Sequence, residues 1–177
     1  CVSMLIPYMI PYYRKKGWEI VSDKMTYTIK DSQLPKRRKV SGMVERVDTE
    51  SEDLRTVHDA FTRMRHGALK RNELEWEEYW RWEADDVLVA VYYDEEEEPK
   101  GYLVYYIAND VFRIKELVTI NQEARHGLWN YISAHYTMIE KVVGTNYTSK
   151  VKASCSVSAA TSAFSAAKSR TCDLARP

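Results

Sequence analysis

The stretch from Phe112 to Met138 constrains the fold most, because its hydrophobic period changes part-way along. Up to Ile120, apolar residues alternate with charged ones, which is typical of a strand. From Leu128 onward, apolar residues recur at helical spacings, so that one face of a helix points inward. Asn121 lies between the two patterns, and its side chain is suited to cap the first turn of that helix. The sequence therefore predicts a strand that runs directly into a capped helix, a junction at which many α/β proteins hold phosphates.

The rest of the chain predicts short helices and strands in an alternation typical of an α+β fold. The sequence leaves two questions open. Residues Trp18 to Ile29 fit either two strands with a turn at Ser22-Asp23 or one bent strand. The N-cap of the second helix is either Thr49 or Ser51. The predicted elements are a helix over 7–17, the strand region 18–29, a strand over 43–47, a helix with the stripe Leu54, Val57, Ala60, Phe61 and Met64, a helix over 72–84, hairpin strands over 87–93 and 101–108, the strand and helix described above, and a strand over 140–147.

Two segments lack such patterns. Residues 31–42 combine Pro35, Gly42 and clustered charge without periodicity, which predicts a solvated linker. Residues 148–177 are rich in Ser and Ala, and twelve of the seventeen residues from Ala153 to Ser169 are one or the other. This composition lacks the apolar side chains of a core, so we expect a disordered or frame-shifted tail.

The charge balance argues against nucleic acid as the main partner, since 26 Lys and Arg residues face 26 Asp and Glu residues. The basic run from Pro35 to Lys39 has no aromatic partners and is assigned to the linker. No apolar run is long enough to cross a bilayer, and no signal peptide is visible, so we expect a cytoplasmic protein without a membrane partner. The three cysteines and four histidines have no metal spacing, and we expect no metal.

The tryptophans of the predicted helix over 72–84 could form a ligand-binding surface or pack in the hydrophobic core. We assign Trp76, Trp80 and Trp82 to the core or to a cleft wall, because helices that pack on a sheet need large apolar side chains.

The order of elements after Met43 resembles the acetyltransferases of the GCN5-related (GNAT) superfamily, in which a mixed, mainly antiparallel sheet is flanked by helices. Three phrases are similar to the bacterial enhanced intracellular survival (Eis) acetyltransferases: PYYRKKGWE from Pro11, YYDEEEEPKGYLVYYI from Tyr92 and KELVTINQEARHGLWNYISAH from Lys115. Those proteins have two tandem GNAT-type domains and a sterol-carrier-like domain. The chain begins with Cys1 instead of methionine, and we expect it to be a fragment of such a protein.

The resemblance implies a division of the chain. Residues 1–30 would be the C-terminal piece of a first GNAT domain, 31–42 the linker, 43–147 most of a second GNAT domain, and 148–177 the unrelated tail. In this family the first domain carries the acetyl-CoA site, which would precede Cys1. The family also implies a hexamer.

In the superfamily, glycines at a helix start let backbone N–H groups reach the pyrophosphate of coenzyme A. The corresponding residues here are Gln122 to Gly127, in which Arg125 replaces the first glycine. The bulk of Arg125 and the charge of Glu123 would hinder a phosphate, so we assign no cofactor-binding residue in this chain.

Tyr13 is the candidate catalytic residue that the resemblance implies. It lies four residues before Gly17, as the family's tyrosine lies before its glycine, and a phenol can protonate a departing thiolate. Tyr12 is the alternative candidate for this role. Tyr13 could instead have a purely structural role, in which its ring packs beneath the sheet. The family's general base is the terminal carboxylate, a role that Pro177 cannot be given.

The sequence thus predicts an N-acetyltransferase that moves acetyl from acetyl-CoA to aminoglycoside-like or lysine amines, present as a fragment that is inactive alone. The acidic stretch from Glu73 to Asp86 could attract such cations or be a solvated helix face. The alternative is a non-catalytic GNAT-like scaffold that supports oligomerisation.

Overall fold

The structure is a computed structural model that describes residues 2–5, 7–64, 68–81, 86–146 and 158–169. The chain divides into two compact units, Cys1–Tyr27 with Thr145–Pro177, and Thr28–Gly144. Strand β2 (Glu19–Lys30) crosses from the first unit into the second as one continuous element, which decides between the two alternatives for that region.

The first unit contains β1 (Val2–Leu5), α1 (Ile10–Lys15) and the start of β2. Helix α1 has Pro11 in its first turn and ends before Gly17, whose φ of 79° lies in the left-handed region that glycine adopts without strain. The N–H groups of Lys16 and Gly17 donate to carbonyls of the last turn. The predicted short helix with a glycine stop is therefore confirmed.

A further strand lies in the region where the sequence predicts a disordered tail. Its residues Ser158–Ser169 pair antiparallel with β1, from Val2 opposite Ser169 to Leu5 opposite Ala166. Backbone hydrogen bonds make such a pairing, and these do not require the large apolar side chains that the tail lacks. The rest of the predicted tail, 148–157 and 170–177, lies outside the described residues.

The second unit is built on β3 to β7. The first four strands form an antiparallel meander, and β7 pairs parallel to β6. Helices α2 and α3 connect β3 to β4, and α4 connects β6 to β7, which gives the mixed α+β GNAT-like arrangement that the sequence predicts. The bounds are β3 (Met43–Val47), α2 (Glu52–Arg63), α3 (Glu73–Arg81), β4 (Leu88–Tyr93), β5 (Pro99–Ala108), β6 (Val111–Thr119), α4 (Gln122–Ala134) and β7 (Lys141–Asn146).

Local signals place most of these boundaries. The Ser51 hydroxyl accepts the Asp53 N–H at 3.3 Å, so Ser51 and not Thr49 caps α2. Asn109 and Asp110 have φ of 52° and 57°, the left-handed pair of a tight hairpin turn between β5 and β6. Met64, which we expected on the buried stripe of α2, is 63% exposed because the helix ends one residue before it.

Adjacent residues of β5 show that the sheet is covered on both faces, since neighbouring side chains of a strand point to opposite sides. Tyr102 belongs to the core beneath α2 and α3, whereas Gly101 lies against Ala124 and Leu128 of α4. The core under α2 and α3 comprises Leu54, Val57, Trp76, Val89, Val91, Tyr102, Val104 and Val118. Trp76 is thus a core residue, Trp80 packs against that core, and Trp82 lies outside the described residues.

His58 is a buried polar residue of this core, 5% exposed. Its Nε2 lies 3.1 Å from the Leu69 carbonyl, which can accept but not donate, so Nε2 carries the proton. Nδ1 then accepts from the Tyr102 hydroxyl at 2.9 Å. Burial, followed by repulsion from the Arg71 guanidinium, lowers the pKa of His58 below its ordinary value of 6.5. The neutral ring therefore bonds the buried Tyr102 hydroxyl and the partly buried Leu69 carbonyl.

Arg71 packs against the same core, the one under α2 and α3. Its guanidinium makes a bidentate pair with Glu116, at 2.9 and 3.1 Å, and stacks 4.6 Å from the centre of the Trp76 ring and 4.3 Å from that of Tyr79. The planar cation is thus held by a carboxylate and by two aromatic faces, which orders the loop before α3.

The segment predicted as a solvated linker is held against α4. We call residues 34–42 the basic segment. Arg38 donates its N–H to Asn130 Oδ1 at 2.9 Å, and its carbonyl accepts from Asn130 Nδ2 at 2.7 Å. The Ser133 hydroxyl donates to the Pro35 carbonyl at 3.2 Å. Backbone groups make these contacts, so the absence of hydrophobic periodicity did not reveal them.

Acidification should destabilise the chain through His58. Because its folded pKa is below 6.5, the unfolded state binds more protons as pH falls through that value, and stability decreases. We expect the free energy of unfolding, from urea titrations followed by tryptophan fluorescence, to fall between about pH 8 and about pH 5.5. His58→Gln should flatten this part of the profile, and His135→Gln, which retains His58, should keep it. A profile for His58→Gln as steep as that of the parent chain would contradict the assignment.

Gly127→Ala should destabilise the second unit, although alanine normally favours a helix interior. A Cβ at this position would lie 2.3 Å from Cδ2 of the Tyr92 ring. Forcing the helix away from the ring should cost about 2 kcal/mol of unfolding free energy, measured by urea denaturation. In the Tyr92→Leu background the same substitution should cost much less, and an equal cost in both backgrounds would show that the ring is not the cause.

Candidate functional site

The β6–α4–β7 crossover provides the geometry for a ligand site in the second unit. Strands β6 and β7 are parallel and pair over Val111–Ile114 and Lys141–Gly144, while β6 continues to Thr119. One residue, Lys115, is inserted in the register with β5, because Val104 pairs with Glu116 and Tyr105 pairs with Ile114. The N terminus of α4 follows this bulged end of β6, and carboxyl ends of parallel strands are common ligand sites.

The first turn of α4 is capped as the sequence predicts. Asn121 Oδ1 accepts the Ala124 N–H at 2.7 Å, and the Asn121 carbonyl accepts the Arg125 N–H at 3.4 Å. Such a helix end carries partial positive charge and favours an anion.

The anion at this helix end is a side chain of the protein. The Glu123 carboxylate accepts the Ser41 N–H at 2.9 Å and the Ser41 hydroxyl as well. These bonds to Ser41 hold the pKa of Glu123 below its usual range, so the carboxylate stays charged. A phosphate at the same place would meet a fixed negative charge.

His126 ties the basic segment to the same turn. Its Nε2 lies 3.2 Å from Arg38 Nη1 and 3.2 Å from Gln122 Nε2. A guanidinium nitrogen can only donate, so His126 accepts from Arg38 through Nε2. Arg125, which replaces the glycine of the predicted cradle, is exposed.

Gly127, the second glycine position of the cradle, faces protein and not open space. The Tyr92 ring lies where a side chain at 127 would be, and the Tyr92 hydroxyl accepts the Gly42 N–H at 3.1 Å. Burial raises the pKa of Tyr92, which keeps its phenol protonated. Residues Gln122 to Gly127 thus form one helix end, at which Ser41 bonds Glu123 and the Tyr92 ring packs against Gly127.

Ser41 is the site residue that sequence reasoning missed. It is 82 positions from Glu123 along the chain, and no local pattern signals a contact over that distance. Its place at the end of a charged, aperiodic segment suggested a linker instead.

A groove of about 810 Å³ lies between the basic segment and α4. Leu34, Val40 and Met43 line one side, and Asn130, Tyr131 and Tyr136 line the other. At its wall the Tyr131 hydroxyl accepts from Arg46 Nε at 2.9 Å and lies 2.6 Å from the Tyr105 hydroxyl. This chain of polar contacts positions Tyr131 on α4.

Tyr13 lies on α1 in the first unit. Its ring is half-buried and meets Trp18 edge to face at 6.1 Å, and its carbonyl accepts the Trp18 N–H at 3.1 Å. Tyr12 is 55% exposed and makes an edge contact with Tyr13 at 5.4 Å. Tyr13 thus packs against a second aromatic ring, and its catalytic role stays a prediction.

The described residues contain no group of three or more His, Cys, Asp or Glu side chains arranged to hold a metal ion. In the same part of the chain, no helix has both the length and the apolar character to span a bilayer. His58 and His135 bind protein groups instead, since His135 Nδ1 lies 2.9 Å from the Tyr131 carbonyl.

A family model for the acetyltransferase (GNAT) domain matches residues 67–160, which is more than half of the chain. This chain belongs to the GNAT acetyltransferase family. A search among functionally curated proteins gives no match.

Solved structures agree with this family. The GNAT chain is 25% identical to a conserved protein from Enterococcus faecalis described as a probable N-acyltransferase, with a TM-score of 0.79 over 94% of this chain and 44% of that one. A GCN5-related N-acetyltransferase from Anabaena variabilis is 21% identical, with a TM-score of 0.75 over 94% and 45%. Eis1 from Mycobacterium abscessus is 16% identical, with a TM-score of 0.67 over 93% and 46%. The chain spans less than half the length of each of these proteins.

The GNAT chain should not bind acetyl-CoA at α4, because Glu123 repels the pyrophosphate and Arg125 blocks its approach to the backbone. Isothermal titration with acetyl-CoA should give no saturable heat. The double variant Glu123→Gln/Arg125→Gly removes both obstacles, and a gain of binding there would assign the loss to these two side chains. Saturable binding by the parent chain would show that the helix end is open.

Proposed function

We propose that this chain is part of an N-acetyltransferase that transfers the acetyl group of acetyl-CoA to a primary amine. The observation that carries the proposal is the GNAT family match over residues 67–160. The mixed sheet with its parallel β6–α4–β7 crossover supports it, because this is the fold that the chain shares with a probable N-acyltransferase. Neither the family match nor the similar structures support the alternative of a scaffold without chemistry.

Within that enzyme, we assign the Thr28–Gly144 unit to a supporting role. The partial positive charge at the N terminus of α4 is balanced by the Glu123 carboxylate, which accepts hydrogen bonds from Ser41. This arrangement argues that acetyl-CoA binds elsewhere. We propose an Eis-like arrangement in which residues 43–147 form most of a second GNAT domain with a degenerate cofactor site. The similarity in fold to Eis1 from Mycobacterium abscessus supports this arrangement. Residues 1–30 would then close the first domain, and residues 31–42 would join the two.

The chemistry follows from the family's needs. The neutral amine attacks the thioester carbonyl, a base accepts the proton that the amine nitrogen loses, the bond to sulfur breaks, and the thiolate of coenzyme A takes a proton from an acid. Tyr13 is the residue of this chain that we assign as the acid, because its ring is held by Trp18 and a phenol can donate a proton to a departing thiolate. The phenol donates as negative charge builds on sulfur.

The acceptor class is a cationic amine such as an aminoglycoside or a lysine side chain. The first turn of α3 carries Glu73 and Glu75, and Glu77 and Glu78 follow in the same helix. Negative charge of this kind raises the local concentration of amines without selecting one of them. The hexamer that the family resemblance implies is part of the proposal, together with a cytoplasmic location, and light scattering on the full-length protein checks the hexamer.

Tyr13→Phe in the full-length protein should lower kcat for thiol release from acetyl-CoA by roughly a hundredfold, because the acid is lost. The Michaelis constant for acetyl-CoA should change little. Tyr12→Phe, which removes the neighbouring exposed hydroxyl, is the matched control and should retain activity. If Tyr12→Phe is the inactive variant, the acid is Tyr12, and if full-length protein releases no thiol with any amine, the enzyme assignment fails.

A further inference from the structure

The basic segment presents a hydroxyl directly after a run of cations. Lys36, Arg37, Arg38 and Lys39 are all exposed, Val40 is half-buried, and Ser41 is exposed. The segment forms neither helix nor strand between the short 3-10 helix Asp31–Gln33 and β3. We propose that Ser41 is a phosphorylation site for a protein kinase with an acidic substrate groove, and that its phosphorylation releases the basic segment from α4.

A kinase needs a hydroxyl that it can reach and a stretch of backbone that it can draw into its cleft. The basic segment is held to the body of its unit by a small set of hydrogen bonds from Pro35, Arg38, Ser41 and Gly42. Such contacts exchange for bonds to water at low net cost, so local opening is far cheaper than opening a strand of the core. The four cations then supply the charge complementarity by which kinases select substrates.

The other serines whose side chains the structure describes lack this combination. Ser51 follows Glu50 and caps α2 with its hydroxyl, and Ser133 lies within α4, where its hydroxyl donates to Pro35. Ser32 is exposed but follows Asp31 and lies in the short 3-10 helix. Ser41 is therefore distinguished from them by the exposed cations that precede it.

The transfer balances with ATP as the phosphoryl donor. The bond between the γ-phosphorus and its bridging oxygen breaks, a new bond forms from that phosphorus to Ser41 Oγ, and ADP leaves. The hydroxyl proton passes to the kinase's carboxylate base. The product carries roughly two negative charges at neutral pH where a neutral donor stood before.

The phosphate charge on Ser41 would lie next to Glu123, whose hydrogen bonds with Ser41 hold the basic segment. Ser41 Oγ now donates to Glu123, and a phosphoserine oxygen cannot donate to it. A dianion beside the charged Glu123 carboxylate would repel it, and the Ser41 N–H bond at 2.9 Å would be lost as well. Release of the segment opens the groove along α4 and frees Asn130, Ser133 and His126 on its surface.

The first test is whether Ser41 is modified. The chain is incubated with ATP and the catalytic subunit of a kinase that prefers basic substrates, and the site is located by peptide mass spectrometry. We expect one phosphoryl group at Ser41, its loss in Ser41→Ala, and its retention in Ser32→Ala. Absence of phosphate at Ser41, or equal modification of Ser32, would overturn the proposal.

The second test is whether the segment is released. Hydrogen exchange of a peptide covering residues 34–42 should accelerate by roughly tenfold after phosphorylation, because the Ser41 and Arg38 amides lose their acceptors. Peptides from β4 and β5 should not change. Glu123→Ala should show the faster exchange without phosphate and no further rise with it. Phosphorylation of Ser41 with unchanged or slower exchange would refute the release.

Discussion

The close approach of α4 to the sheet is the constraint on which the rest of the second unit depends. A Cβ at Gly101 would lie 3.1 Å from the Ala124 side chain, and one at Gly127 would overlap the Tyr92 ring. Because both positions are glycine, the helix axis settles near the strands, and the Tyr92 ring fits beneath it. The Tyr92 hydroxyl then accepts from Gly42, so the same contact positions the start of β3.

The two faces of the sheet differ in how their polar groups are stabilised. Under α2 and α3, the polar atoms of His58 and Tyr102 are removed from water and satisfy each other as neutral groups. At the N terminus of α4, a charged group is kept. The Glu123 carboxylate offsets the partial positive charge of the helix end, and Ser41 donates two hydrogen bonds to that carboxylate. A GNAT helix that would elsewhere receive a phosphate is here supplied with an internal anion.

The elements that sequence reasoning predicted correctly are those set by neighbours along the chain. The glycine stop at Gly17, the cap at Asn121 and the turn at Asn109-Asp110 are all present, because each depends on φ preference or on a bond over a few residues. The three antiparallel strands from β4 to β6 and the existence of β7 follow from alternation and helical periodicity, whereas the parallel pairing of β7 with β6 was not predicted. Met64 shows the limit, since apolar spacing continued past the residue where α2 ends.

The sequence by itself determined the family, the order of the elements and the replacement of a cradle glycine by Arg125. The tertiary structure alone decided that the residues called a linker lie along α4, that Ser41 satisfies Glu123, and that the Tyr92 ring takes the space beside Gly127. The physical reason is that these contacts join groups far apart in the chain through single hydrogen bonds and ring packing. Such contacts leave no periodic trace in a sequence, whereas a helix or a strand repeats its requirement every few residues.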